Sequence, residues 1–163
     1  MGSGKSAVGR ALAARLGRDH VDIDDLVVTA EHRSIQEIFA TGDEEAFRTL
    51  ERHMLVDSLR RSPAVISTGG GIVLDGANRA LLTDGRSTVV WLDACLDALV
   101  GRVGDGRSRP LLEGDVRERL SETVHDRAPL YAEVAGLRVD TSHLGVDVVA
   151  DEIIVALDQE VTA

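Results

Sequence analysis

Near the start of the chain, Gly2-Ser3-Gly4-Lys5-Ser6 has the composition of the closing half of a phosphate-binding loop, G-x-x-x-x-G-K-[ST]. The residue types follow from the chemistry. Glycines let successive backbone N–H groups curl around phosphate oxygens, and the helix behind them adds a favourable dipole. Lys5 brings a compact positive charge to the β/γ-phosphates, and Ser6 offers a hydroxyl to Mg²⁺. Lys5 is also the one lysine among 18 basic residues, kept where a point charge suits better than a planar fork. Gly2, Ser3, Gly4, Lys5, Ser6 and Ala7 are therefore the nucleotide-binding set.

Four further stretches carry candidate chemistry. Asp22 and Asp24 stand near the carboxyl end of a short strand expected over 20–25, two residues apart and so on one side of it. Ligands of open parallel sheets bind beyond the carboxyl ends of strands. Asp22 is placed to hold a water of the Mg²⁺ shell, and Asp24 to take the proton of an acceptor hydroxyl. Arg48 has Glu51 three residues on, on one helix face, where the acid can orient the guanidinium. Gly69-Gly70-Gly71 follows a buried strand, giving a backbone able to approach a ligand closely. Gly104 to Gly114 is hinged by glycines and bears Arg109; its composition suits a lid, about 104–115, that closes over a polyphosphate.

The elements that position these groups alternate. A helix follows the phosphate loop, with Val8, Leu12 and Leu16 on one stripe and Gly17 past its end. Ser34 opens a capping-box helix with Glu37, and Phe47, Leu50, Met54, Leu55 and Leu59 mark a long amphipathic one. Strands are expected over 63–67, 87–93 and 137–141, with helices over 75–84 and 94–103 between them and a last helix bearing Val146, Val149, Ala150, Ile153 and Leu157. Pro129 is expected to bend or break the helix that starts near Val116. The pattern is that of one α/β domain over 1–163 with a parallel sheet and a mobile lid.

A net charge of −10 and 2% aromatic residues argue against nucleic acid and anionic membranes as partners. One cysteine, Cys95, forms no internal disulfide and reads as a small core residue; with no signal-peptide pattern or apolar run of membrane length, a cytoplasmic protein is expected.

Together these stretches resemble the shikimate kinase family: G-S-G-K-S at 2–6, D-I-D at 22–24, S-I-x-E-I-F at 34–39, F-R-x-L-E at 47–51, G-G-G at 69–71, R-P-L-L at 109–112 and R-A-P-L-Y at 127–131. The resemblance implies a three-layer α/β/α P-loop kinase with a parallel sheet and a mobile lid, and transfer of the γ-phosphoryl of ATP to the 3-hydroxyl of shikimate by a Mg²⁺-dependent monomer. It assigns Lys5 and Ser6 to ATP and Mg²⁺, Asp22 to the metal and Asp24 to the hydroxyl. Arg48, Arg127 and Gly69 to Gly71 would surround shikimate, with Arg109 reaching over from the lid; two arginines make a good carboxylate clamp. Residues 141–145 lack the arginine and proline usual in the family's adenine loop, which leaves Arg102 as the adenine candidate. The alternatives are a related small-molecule kinase such as gluconate kinase, or a nucleotide-binding protein without catalysis. In this family a strand precedes the phosphate loop, so a short apolar strand and a glycine are expected upstream of Met1.

Overall fold

The computed structural model describes residues 2–60, 63–104 and 115–162. Helix α1 (Lys5–Leu16) leaves the glycine loop and ends at Gly17, whose left-handed backbone (φ 60°) closes the last turn. Strand β1 (Asp19–Asp22) then passes directly into α2 (Ile23–Glu31). The strand expected over 20–25 therefore stops earlier, because the Asp22 side chain accepts from the Asp24 N–H at 3.1 Å and caps the helix. Asp24 thus sits in a first helical turn and does not share a strand face with Asp22. Helices α3 (Ile35–Ala40), opened by the full Ser34/Glu37 capping box, and α4 (Glu44–Arg60) follow as expected.

Strand β2 (Ala64–Ser67) leads through the glycine run to a 3₁₀ turn (Ile72–Leu74) and α5 (Gly76–Leu82). Strand β3 (Val90–Asp93) is shorter than expected and precedes α6 (Leu96–Val103). Cys95, expected in the core, is exposed at the N-cap of α6, where its N–H donates to Ser142 Oγ at 2.7 Å. Helix α7 (Val116–Val134) runs through Pro129 without breaking. Pro129 and His125, whose carbonyl loses its donor, are both exposed, so water satisfies that oxygen. Strand β4 (Leu137–Asp140) and α8 (Val146–Thr162) complete the chain. Val149, Ala150 and Ile153 of α8 are buried, but Val146 is 39% exposed and leaves the expected stripe.

Among the described residues the strands pair in parallel, β1 with β2 and β3 with β4. One apolar cluster, built on Val8, Leu12, Val149 and Ile153, covers one side of the strands. Another, built on Leu55, Val73, Leu82 and Val134, covers the other. Between β2 and β3 lies a cavity of about 860 Å³, lined by both strands and both clusters. Among the described residues no helix is long and apolar enough to cross a membrane.

Candidate active site

Two groups of side chains gather beyond the carboxyl ends of the strands. At the first, Gly4 is the N-cap of α1 with φ 88°, and Gly2 has φ 76°, both in the region that disfavours residues with a Cβ. The loop is fastened on two sides. Ser67 Oγ, at the end of β2, donates to the Lys5 carbonyl at 3.3 Å and lies 2.9 Å from His20 Nε2. Arg102 donates to Gly2 O (3.4 Å), Thr141 Oγ1 (3.1 Å), Ser142 O (3.2 Å) and the Thr141 carbonyl. The adenine candidate is therefore a tie between the phosphate loop and the segment after β4. Ser6 Oγ donates to Asp22 Oδ2 at 2.6 Å, placing a hydroxyl and a carboxylate together at the start of α1. Both are hard oxygen donors of the kind Mg²⁺ prefers. Among the described residues there is no cluster of three or more His, Cys, Asp or Glu that could hold a metal ion.

At the second group, the three glycines are wedged between charged side chains. A Cβ on Gly69 would lie 2.9 Å from both Asp24 Oδ1 and Glu51 Oε1, and one on Gly71 would lie 2.5 Å from Arg48 Nη1. On Gly70 it would lie 3.1 Å from the Tyr131 hydroxyl and 3.8 Å from Arg127 Nη1. Three helices thus bring Asp24 of α2, Arg48 and Glu51 of α4, and Arg127 and Tyr131 of α7 around one short backbone turn. Arg48 donates to Glu51 at 2.8 Å and Glu44 at 3.3 Å, and its guanidinium lies 5.1 Å from the Phe47 ring centre. Glu51 is only 1% exposed, far more buried than a surface ion pair.

Electrostatics set these acids apart. Burial first, and then the neighbouring Asp22, push the Asp24 carboxyl above its ordinary range, with Lys5 pulling the other way. Burial likewise raises Glu51, opposed by its bond to Arg48. Asp24 Oδ1 and Glu51 Oε1 are buried oxygens without a hydrogen-bond partner, and both face Gly69. Such oxygens are costly unless a ligand donor meets them.

Of the expected site residues, the structure brings Lys5, Ser6 and Asp22 together at one end and Asp24, Arg48, Gly69 to Gly71 and Arg127 at the other. The Coulombic pull of Lys5 on Asp24 joins the two ends. Arg109 and nearly all of the expected lid lie outside the described residues. Sequence reasoning missed Tyr131, whose hydroxyl donates to Gly70 O at 2.6 Å, and the His20–Ser67 link. The signal for Tyr131 was its i, i+4 spacing from Arg127, which puts both on one face of α7.

The family model for shikimate kinase matches residues 1–158. The chain belongs to the shikimate kinase family. A shikimate kinase of Streptomyces avermitilis is 40% identical over 158 residues, covering 97% of this chain and 91% of the relative. One from Thermobifida fusca is 41% identical over 141 residues, covering 86% and 81%. The Acinetobacter baumannii shikimate kinase in complex with shikimate superposes with a TM-score of 0.93 at 32% identity, covering 98% of this chain and 89% of its own. The Aquifex aeolicus shikimate kinase gives 0.85 at 31% identity, covering 99% and 94%. This is the fold of an α/β P-loop kinase, and the enzyme class is that of ATP-dependent phosphotransfer.

Proposed function

We propose that this chain transfers the γ-phosphoryl of ATP to the 3-hydroxyl of shikimate in aromatic amino acid biosynthesis. The observation that carries the reading is the ring of Asp24, Arg48 and Arg127 around Gly69 to Gly71, facing the Lys5–Ser6–Asp22 group. Shikimate is a small carboxylate bearing hydroxyls, and the ring offers both kinds of partner.

In this reading the N–H groups from Gly2 to Ala7 and the Lys5 ammonium hold the phosphates. Ser6 and Asp22, the latter through water, would hold Mg²⁺, and the ion would supply positive charge against the phosphates. Arg48 and Arg127 grip the carboxylate, and the backbone of Gly69 to Gly71 forms the floor. Asp24 accepts the proton of the 3-hydroxyl as its oxygen attacks the γ-phosphorus in line with departing ADP. Arg109 reaches the transferring group from the segment 104–115, and Arg102 borders the adenine side. Little covalent work falls to the protein, so position and charge supply most of the rate. The enzyme acts as a cytoplasmic monomer on two small anionic ligands, with no nucleic acid or membrane partner, in keeping with its net charge of −10.

An ADP-release assay with shikimate and gluconate as alternative acceptors tests the reading. Shikimate-dependent release that vanishes when Mg²⁺ is chelated is expected. Release with gluconate alone would reassign the acceptor, and none with either would leave a nucleotide-binding protein.

Glu51 is the positioning residue for Arg48. Replacing it with glutamine keeps the shape but removes the buried negative partner. A hydrogen bond to a charged group is worth ~1.5–3 kcal/mol. The KM for shikimate should rise about tenfold or more, while the KM for ATP stays nearly constant. Equal loss at both substrates would make Glu51 merely structural.

A further inference from the structure

Two consecutive residues at the start of α1 are gripped by the ends of two neighbouring strands. Strands β1 and β2 run in parallel with Asp22 beside Ser67, each the last residue of its strand. Asp22 accepts from Ser6 Oγ at 2.6 Å, and Ser67 Oγ donates to the Lys5 carbonyl at 3.3 Å. The first grip uses a side chain assigned above to the metal, whereas the second holds only backbone. Ser67 is a polar residue 6% exposed, so its hydroxyl must find its partners inside the protein.

His20 completes the second grip. It stands two residues before Asp22, so both side chains leave the same face of β1. Its Nε2 lies 2.9 Å from Ser67 Oγ. A serine hydroxyl has one hydrogen to donate and lone pairs with which to accept. The Lys5 carbonyl, which can only accept, takes that hydrogen, so the oxygen is left to accept from His20, which places the imidazole proton on Nε2. Gly9 makes room for this arrangement. It lies one turn after Lys5 on the same face of α1. A Cβ there would stand 2.4 Å from Ser67 Oγ and 2.7 Å from His20 Nε2. Glycine weakens a helix interior, and here its bareness lets the hydroxyl and the imidazole reach the helix backbone.

We propose that His20 and Ser67 are positioning residues for the nucleotide: the chain from imidazole to hydroxyl to the Lys5 carbonyl seats the first turn of α1, and with it the Lys5 ammonium and the Ser6 hydroxyl, against the end of β2. The inference rests on the nucleotide reading of that turn given above. Both residues act through Lys5 rather than on a substrate. Gly70 is held separately by the Tyr131 hydroxyl, so the acceptor floor keeps its own tie when this chain is cut.

Calorimetric titrations with ADP and Mg²⁺ and, separately, with shikimate test this on the parent chain, on His20→Leu, His20→Gln and Ser67→Ala, and on the His20→Leu/Ser67→Ala pair. His20→Leu and Ser67→Ala should each raise the Kd for ADP roughly threefold to tenfold, the range of one net hydrogen bond, and leave shikimate affinity nearly unchanged. The pair should lose no more than Ser67→Ala alone, because one link runs through both residues. Glutamine at position 20 carries an amide N–H donor that can stand near the place of Nε2, so His20→Gln should recover most of the loss, whereas a space-filling role would favour leucine. Additive losses in the pair, equal losses for ADP and shikimate, a glutamine no better than leucine, or unchanged ADP affinity in both single variants would each overturn the inference and leave the nucleotide reading in place. A parent chain that binds no ADP would overturn that reading and this inference together.

Discussion

Asp24→Asn should lower turnover by roughly 10²–10⁴ while leaving the KM values for ATP and shikimate within a few-fold of their starting values, the usual cost of removing a positioned general base. The pH dependence makes the same point from the other side. Burial and the adjacent Asp22 raise the Asp24 carboxyl above its ordinary value of 3.8. As a base it works only when ionised, so kcat/KM should fall as pH drops through this raised value, and the acid limb should lie above that of an exposed aspartate. The effect on stability has the opposite sign. A carboxyl whose pKa is higher folded than unfolded stabilises the fold at low pH, and that contribution is lost as pH rises through the folded pKa. Asp24→Asn should therefore raise the melting temperature at neutral pH, with the gain shrinking toward pH 4. A variant that loses activity and stability together would reduce Asp24 to a structural role, and one with near-normal turnover would exclude it as the base.

Arg48→Ala and Arg127→Ala should each weaken shikimate binding by about 2–4 kcal/mol, since each leaves part of a carboxylate unpaired. Nucleotide affinity should hardly change, because both guanidiniums stand at Gly70 and Gly71, away from the Ser6–Asp22 pair. Lysine at either position should recover little, as an ammonium cannot reproduce the fork. Arg48→Ala has a second consequence that Arg127→Ala lacks. It strips Glu51, 1% exposed, of its partner, so the Glu51 carboxyl, already raised by burial, should rise further and stability should drop. Titration calorimetry with each substrate separates the cases; equal losses for ATP and shikimate in both variants would remove the clamp.

Local chemistry was legible in the sequence wherever a few neighbouring residues determine it. The Ser34 capping box, the glycine after α1 and the Arg48–Glu51 spacing are set by contacts within one or two turns, and the structure has each of them. Alternation of strands and helices likewise gave the α/β class. Boundaries failed where a single side chain decides between two elements. Asp22 reads as a strand residue by pattern but caps α2 by hydrogen bonding, which moves Asp24 onto a helix. Pro129 argued for a bend or a break, and the helix runs through it unbroken because sequence does not say which side meets water. Cys95 was misplaced for the same reason, since the tendency of cysteine to be buried carries no information about a helix start at the surface. Least legible were contacts between distant segments: the burial of Glu51 and the reach of Tyr131 to Gly70 across 61 residues.

The crowding of Gly69 to Gly71 bears on how such an enzyme can change over generations. The atoms nearest to an added Cβ are all ends of side chains: two carboxylates, a guanidinium and a phenol hydroxyl. At Gly69 and Gly71 a methyl group would have to displace the Asp24 and Glu51 carboxylates or the Arg48 guanidinium, so the damage falls first on the groups that meet the ligand. Such a variant is expected to lose activity before it loses its fold. Selection on folding cannot see such a lesion, and only selection on flux through the reaction can remove it. New acceptor specificity in this scaffold would then have to arise in the outer ring, at positions such as Glu44 and Phe39 around Arg48, where a substitution alters the grip on the ligand and leaves the cramped floor intact.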